Sequence, residues 1–167
     1  MIISAFKKRI VLSAVAAALL CAVLLLSGCE SDFFGGYNSL VHSMEPKSSV
    51  AEINEELDVN LKTPSGILFP EYYVIRMSEN VHVGQVSFRY GGKEYLFRAG
   101  RTQGDISGMW VNGAALGTTI DPAQEYEAQV LPDGTMWSRW YVGDVQYFLS
   151  CQNGIEERFK QLEKSLR

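Results

Sequence analysis

The sequence predicts an α+β domain: an antiparallel, meandering sheet of about six strands, packed with a short N-terminal helix and a C-terminal amphipathic helix. Three observations carry this. Apolar residues recur with a period of two over most of the stretch from Tyr72 to Cys151. Gly91-Gly92, Asp133-Gly134 and Gly143-Asp144 break that stretch with turn chemistry. Segments with helical spacing flank it on both sides.

The first element is SSVAEINEEL. Ser49 is placed to cap a helix and Glu52, three residues on, completes a capping box. Val50, Ile53 and Leu57 then share one face. Pro64, Gly66 and Pro70 end the helix and lead through a loop. YYVIRM and VHVGQVSFRY read as strands, and RYGGKEYLFRA reads as a hairpin. In QEYEAQV, Tyr126, Ala128 and Val130 are expected on one side and Glu125, Glu127 and Gln129 on the other, which describes a sheet wet on one face. In VQYFLSC, Val145, Tyr147, Leu149 and Cys151 share a face, which makes Cys151 a buried thiol. The last element carries Ile155, Phe159, Leu162 and Leu166 as one apolar stripe, the seam expected to pack on the sheet. Glu156 and Glu157 at its start and Lys164 and Arg167 at its end suit the helix dipole.

Ahead of the domain, Lys7, Lys8 and Arg9 precede an uncharged run from Ile10 to Leu26. A basic segment followed by an apolar one is the layout of a secretory signal. The run ends at Leu26-Ser27-Gly28-Cys29, which resembles the lipobox of bacterial lipoproteins: Leu, two small residues, then Cys. That resemblance implies a diacylglyceryl group on the Cys29 thiol and cleavage just before it. More than one acyl chain is what stable anchoring takes. The expected organisation is a signal peptide over 1–28, a lipidated Cys and tether over 29–44, and a single domain over 45–167. An uncleaved apolar helix is the competing reading. Either way the domain is expected at the cell membrane, facing outside the cytoplasm. Phe33, Phe34 and Tyr37 are unusual in a tether and are expected to dock on the domain or lie near the lipid.

The whole chain carries a net charge of −4. Removing Lys7, Lys8 and Arg9 with the signal leaves −7, from 12 basic and 19 acidic residues. Such a chain lacks the electrostatic footprint of a nucleic-acid binder. Of its cysteines, Cys21 falls in the signal, Cys29 takes the lipid, and Cys151 is left without a disulfide partner.

Motifs for chemistry are sparse. His42 and His82 stand in the tether and in a strand, with no H-x-x-x-H or C-x-x-C spacing, so neither a metal nor a cofactor is expected. No G-x-S-x-G elbow, P-loop or dinucleotide fingerprint is present. Glu125 and Glu127 are a carboxylate pair of the kind acid–base catalysis uses, though alternate residues on a wet strand are ordinarily only solvated. The distinctive segment is FRAGRTQGDISG, where Arg98, Arg101 and Asp105 sit among three glycines. It reads either as a small polar site on a loop or as a structural turn. In the turn reading Asp105 accepts backbone amides or pairs with Arg98. Trp110, Trp137, Trp140 and Tyr141 could line a ligand groove; Trp137 and Trp140 are expected on opposite sides of one strand, one in the core and one partly exposed.

The order of these features resembles a family of small uncharacterised lipoproteins and exported domains of Firmicutes, clostridia especially. The matching pieces are Ser49–Glu52, the loop from Pro64 to Pro70, Arg98-Ala99-Gly100, Asp105-Ile106-Ser107-Gly108, Asp133-Gly134 and the helix from Ile155 to Leu166. The likeness spans roughly residues 45–167 and departs after Gly108. It implies fold and location but no mechanism. The expectation is a membrane-anchored, non-catalytic domain. It would meet a protein, peptide or envelope component through the open sheet face or the Trp-bearing hairpin. The alternatives are a carrier or sensor holding a small apolar ligand between sheet and helix, and a hydrolase acting on envelope polymers with Ser107 near His82.

Overall fold

In the computed structural model the described residues are 43–111, 114–116, 121 and 123–167. The expected signal peptide, Cys29 and most of the expected tether lie outside them. Among these described residues nine strands and two helices follow in chain order. They are β1 (Ser43–Lys47), α1 (Val50–Leu57), β2 (Leu68–Ser78), β3 (Val81–Tyr90), β4 (Lys93–Gly100), β5 (Trp110–Val111), β6 (Ala114–Ala115), β7 (Tyr126–Val130), β8 (Thr135–Val142), β9 (Val145–Gln152) and α2 (Glu156–Leu166). Seven strands form one antiparallel sheet in the order β1-β2-β3-β4-β9-β8-β7, one more than expected, and β5-β6 is a separate small ribbon. Two meanders therefore meet at a β4–β9 seam, where Phe97 lies opposite Leu149 and Arg98 opposite Phe148. Among the described residues no helix is long and apolar enough to cross a membrane.

Local chemistry explains the borders. Ser49 accepts from the Glu52 N–H and caps α1, while the Glu52 carboxylate reaches back to the N–H and hydroxyl of Ser48 rather than of Ser49. Asp58 ends the helix in the left-handed conformation at φ 50°. The β3–β4 turn needs positive φ at both central residues, and Gly91 and Gly92 supply 56° and 78°. Strand β1 was expected to be tether as far as residue 44. Ser43 and Met44 instead pair with Arg76 and Ile75 on the edge of β2.

Both helices lie on one face of the sheet. Ile53 of α1 and Phe159, Leu162 and Leu166 of α2 share a core with Val74, Val86, Phe97, Trp140, Tyr147 and Leu149. Ile155 is not part of that seam: it precedes the helix as its cap residue and is exposed. Gly84 gives α1 its close approach, because a Cβ there would stand 2.3 Å from Ile53 Cγ2. Cys151 is buried on this helical face, and desolvation raises its thiol pKa. Only the thiolate reacts, so Cys151 is expected to resist alkylation at pH 8 until denaturant is added. Peptide mass mapping of the alkylated chain with and without denaturant reads this directly; fast labelling of the folded chain would contradict the packing.

The opposite face is not wet, which corrects the sequence expectation. The connection from β4 to β7 crosses it and buries Ile106, Met109 and Leu116 against Ile75, Val83, Leu96, Trp137 and Phe148. Strand β7 departs from simple alternation as well. A register shift between Tyr126 and Gln129 sends Tyr126 to this crossed face, while Ala128 packs toward the helices and Val130 is exposed.

Candidate functional site: a crossover held by two buried arginines

The crossed face carries an unusual buried polar set: Gln85, Ser87, Arg98, Arg139, Gln146 and Ser150. Strand register explains their grouping. Gln85 on β3 lies opposite Arg98 on β4, Arg98 opposite Phe148 on β9, and Phe148 opposite Arg139 on β8. One row across the sheet thus places a phenylalanine between two arginines that are 3% and 1% exposed. A buried guanidinium is costly unless oxygen atoms surround it.

Each arginine ties down one end of the crossover. Arg98 Nε donates to Gln85 Oε1 at 2.9 Å, and its Nη1 donates to the carbonyls of Ile106 and Ser107. Gln85 is itself held, donating to Ser87 Oγ at 3.0 Å. Gly108, at φ 61°, leaves room for the guanidinium, since a Cβ there would stand 2.6 Å from Arg98 Nη1. At the far end Arg139 Nε and Nη2 donate to the Gln124 carbonyl at 3.2 and 2.9 Å, and Nη2 also reaches the Asp121 carbonyl. The Arg139 guanidinium lies 5.1 Å from the centre of the Tyr126 ring. Its Nη1 is buried and has no hydrogen-bond partner.

Two more polar atoms of this face share that condition: the indole Nε1 of Trp137 and the Oε1 of Gln146. Gln146 is fixed from its other end, donating from Nε2 to the Tyr141 hydroxyl at 2.6 Å. Trp137 packs 5.3 Å from Tyr126 and 6.0 Å from Phe148 between ring centroids. Unsatisfied buried groups are rare in folded proteins, and one that is also charged calls for a reason.

The structure separates the residues that the sequence grouped. Asp105 closes a turn, accepting from the Ser107 N–H at 2.9 Å and the Ser107 hydroxyl at 2.9 Å. The Ser107 hydroxyl also accepts from the Met109 N–H at 3.1 Å, so its contacts serve the same turn. Arg101 faces outward. It bonds the Asp58 carbonyl and carboxylate at the end of α1 and the Asp144 carboxylate in the β8–β9 turn, and that hydrogen bond holds the Asp144 pKa below its ordinary value. Trp137 and Trp140 do point to opposite faces, but both are buried, at 3% and 1%, because the crossover covers one face and the helices the other. Trp110 belongs to β5, and its side chain lies outside the described part of the chain. His42 lies outside it too. Glu125 accepts from the Tyr141 N–H at 2.9 Å and approaches Arg167 at 3.5 Å. Among the described residues no group of three His, Cys, Asp or Glu side chains is placed to hold a metal ion. Arg139 and Gln146 were missed in the sequence, where the signal was an arginine set among aromatic residues in WSRW.

Compared with known protein families, with curated proteins and with solved structures, the chain matches none.

Proposed function

We propose that this chain is a lipid-anchored extracytoplasmic domain whose role is binding rather than catalysis. The anchor reading rests on Leu26-Ser27-Gly28-Cys29 after the basic and apolar segments, and on the resemblance to small clostridial-type lipoproteins. Cys29 carries the diacylglyceryl group, residues 1–28 are removed, and the membrane is met through the lipid. The binding reading rests on one observation: the buried, cationic, incompletely hydrogen-bonded face beneath the crossover. A domain with an open sheet would meet its partner on that surface. Here the crossover covers the face, so the ligand is held between sheet and crossover, the carrier or sensor form of the reading.

Two experiments test these halves separately. The intact chain expressed in a bacterial host with labelled palmitate is expected to take up label, and Cys29→Ser to take up none. Label on the Ser variant would overturn lipidation at Cys29. Native mass spectrometry of the chain extracted from membranes is expected to show an added mass that denaturation removes. A bare monomer mass would count against a held ligand.

A further inference from the structure

We infer that the buried polar face at Arg139 and Trp137 binds a monocarboxylate with an apolar or aromatic body. The inference rests on the binding reading above and assigns that site its ligand chemistry; it does not depend on lipidation.

The charge argument comes first. The hydrogen-bonded nitrogens of Arg139 face main-chain carbonyls, which solvate a cation without neutralising it. Arg139 is buried, so salt screens its field little. An anion is the group that such a field attracts. A single carboxylate matches the one Nη1 that lacks a partner. A phosphate group, at about −1.5 to −2, would bury surplus negative charge beside one cation.

The donors and the apolar shell come next. A carboxylate has two oxygens. Arg139 Nη1 and Trp137 Nε1 are two buried donors without partners, on alternate residues of β8 that face the same side. The Arg139 guanidinium and the Trp137 ring both pack on Tyr126. Trp137 and Phe148 share one apolar cluster with Tyr126 and Leu131 packed against it, surfaces that suit an apolar body rather than a hydrated one. The recognised ligand is therefore an alkyl or aryl carboxylate, its head at Arg139 and its body against these rings.

The probes are benzoate, its neutral counterpart benzyl alcohol, and inorganic phosphate, each titrated into the full chain in detergent with thermal melting and tryptophan fluorescence as readouts. Benzoate is expected to raise the melting temperature and bind at least ten-fold more tightly than either comparator. Arg139→Gln is expected to weaken benzoate binding ten-fold or more. Trp137→Phe keeps a ring and removes only the indole N–H donor, so it tests the site even if Arg139→Gln fails to fold; a loss of three-fold or more is expected. Benzyl alcohol or phosphate binding as tightly as benzoate overturns the carboxylate assignment, as does unchanged benzoate affinity in Trp137→Phe. A denaturation-sensitive native mass without carboxylate binding would sink this inference and leave the binding reading standing; a bare mass with no benzoate binding would remove both.

Discussion

Trp140→Ala is expected to cost about 3–5 kcal/mol, the range for truncating a large aromatic in a packed core. The ring sits at the centre of the helical face, 1% exposed, stacked 5.8 Å from Phe97 and 5.6 Å from Tyr147 between centroids. The Arg167 guanidinium covers it at 5.0 Å. Removing the ring unpacks β4, β8, β9 and the end of α2 together. Domains hold only about 5–15 kcal/mol in all, so the variant should lose much of its stability. Trp140→Phe should cost far less, because the indole N–H has no partner to lose and the stacking is kept. Urea unfolding of the intact chain followed by circular dichroism reads both values, with the slope held equal. A loss below about 1 kcal/mol in the alanine variant would mean that this core does not depend on the stack.

Arg98→Met is the second large effect, on the order of 3 kcal/mol, since hydrogen bonds to a charged group contribute about 1.5–3 kcal/mol each. The change strands Gln85 Oε1 and the carbonyls of Ile106 and Ser107 in a buried place. Its local signature should be faster proteolytic cutting between residues 101 and 125, because the first pin of the crossover is gone. Arg98→Lys should rescue little: an ammonium cannot present the guanidinium's separated Nε and Nη1 donors in one plane. Lysine restoring both stability and protease resistance would show that charge alone, not the fork, holds the segment.

Much of the local structure was legible. Ser49 and Glu52 announced α1, the glycine turns announced the hairpins, and Phe159, Leu162 and Leu166 announced the seam of α2. Each signal is set by residues within a turn or two of one another. Where the sequence reading failed, the cause was distant in the chain. Strand β1 holds Glu45, Pro46 and Lys47, with no alternation to reveal it, and exists because β2 offers an edge. Tyr126 and Ala128 part company because β7 carries a bulge. The site was obscured for the same reason. Arginine in a strand ordinarily marks the wet side. Arg98 and Arg139 are buried because a segment lying between β4 and β7 in sequence folds across the face between them. FRAGRTQGDISG is distinctive in the sequence, and its arginines serve different places: Arg98 holds the crossover and Arg101 clamps the ends of α1 and the last hairpin.

The β4–β9 seam also dictates an order of events during synthesis. β1 through β4 can zip up by neighbouring pairings as the chain emerges, but β4 then presents a bare edge from Tyr95 to Gly100. Its partner is the last of the described strands, and loop closure over so long an interval slows the pairing. Until Gln152 has appeared, the half-made sheet is an open template for other chains. The nascent protein is therefore vulnerable until β9 has emerged. A chain stopped anywhere before β9 should aggregate rather than persist as a smaller folded piece.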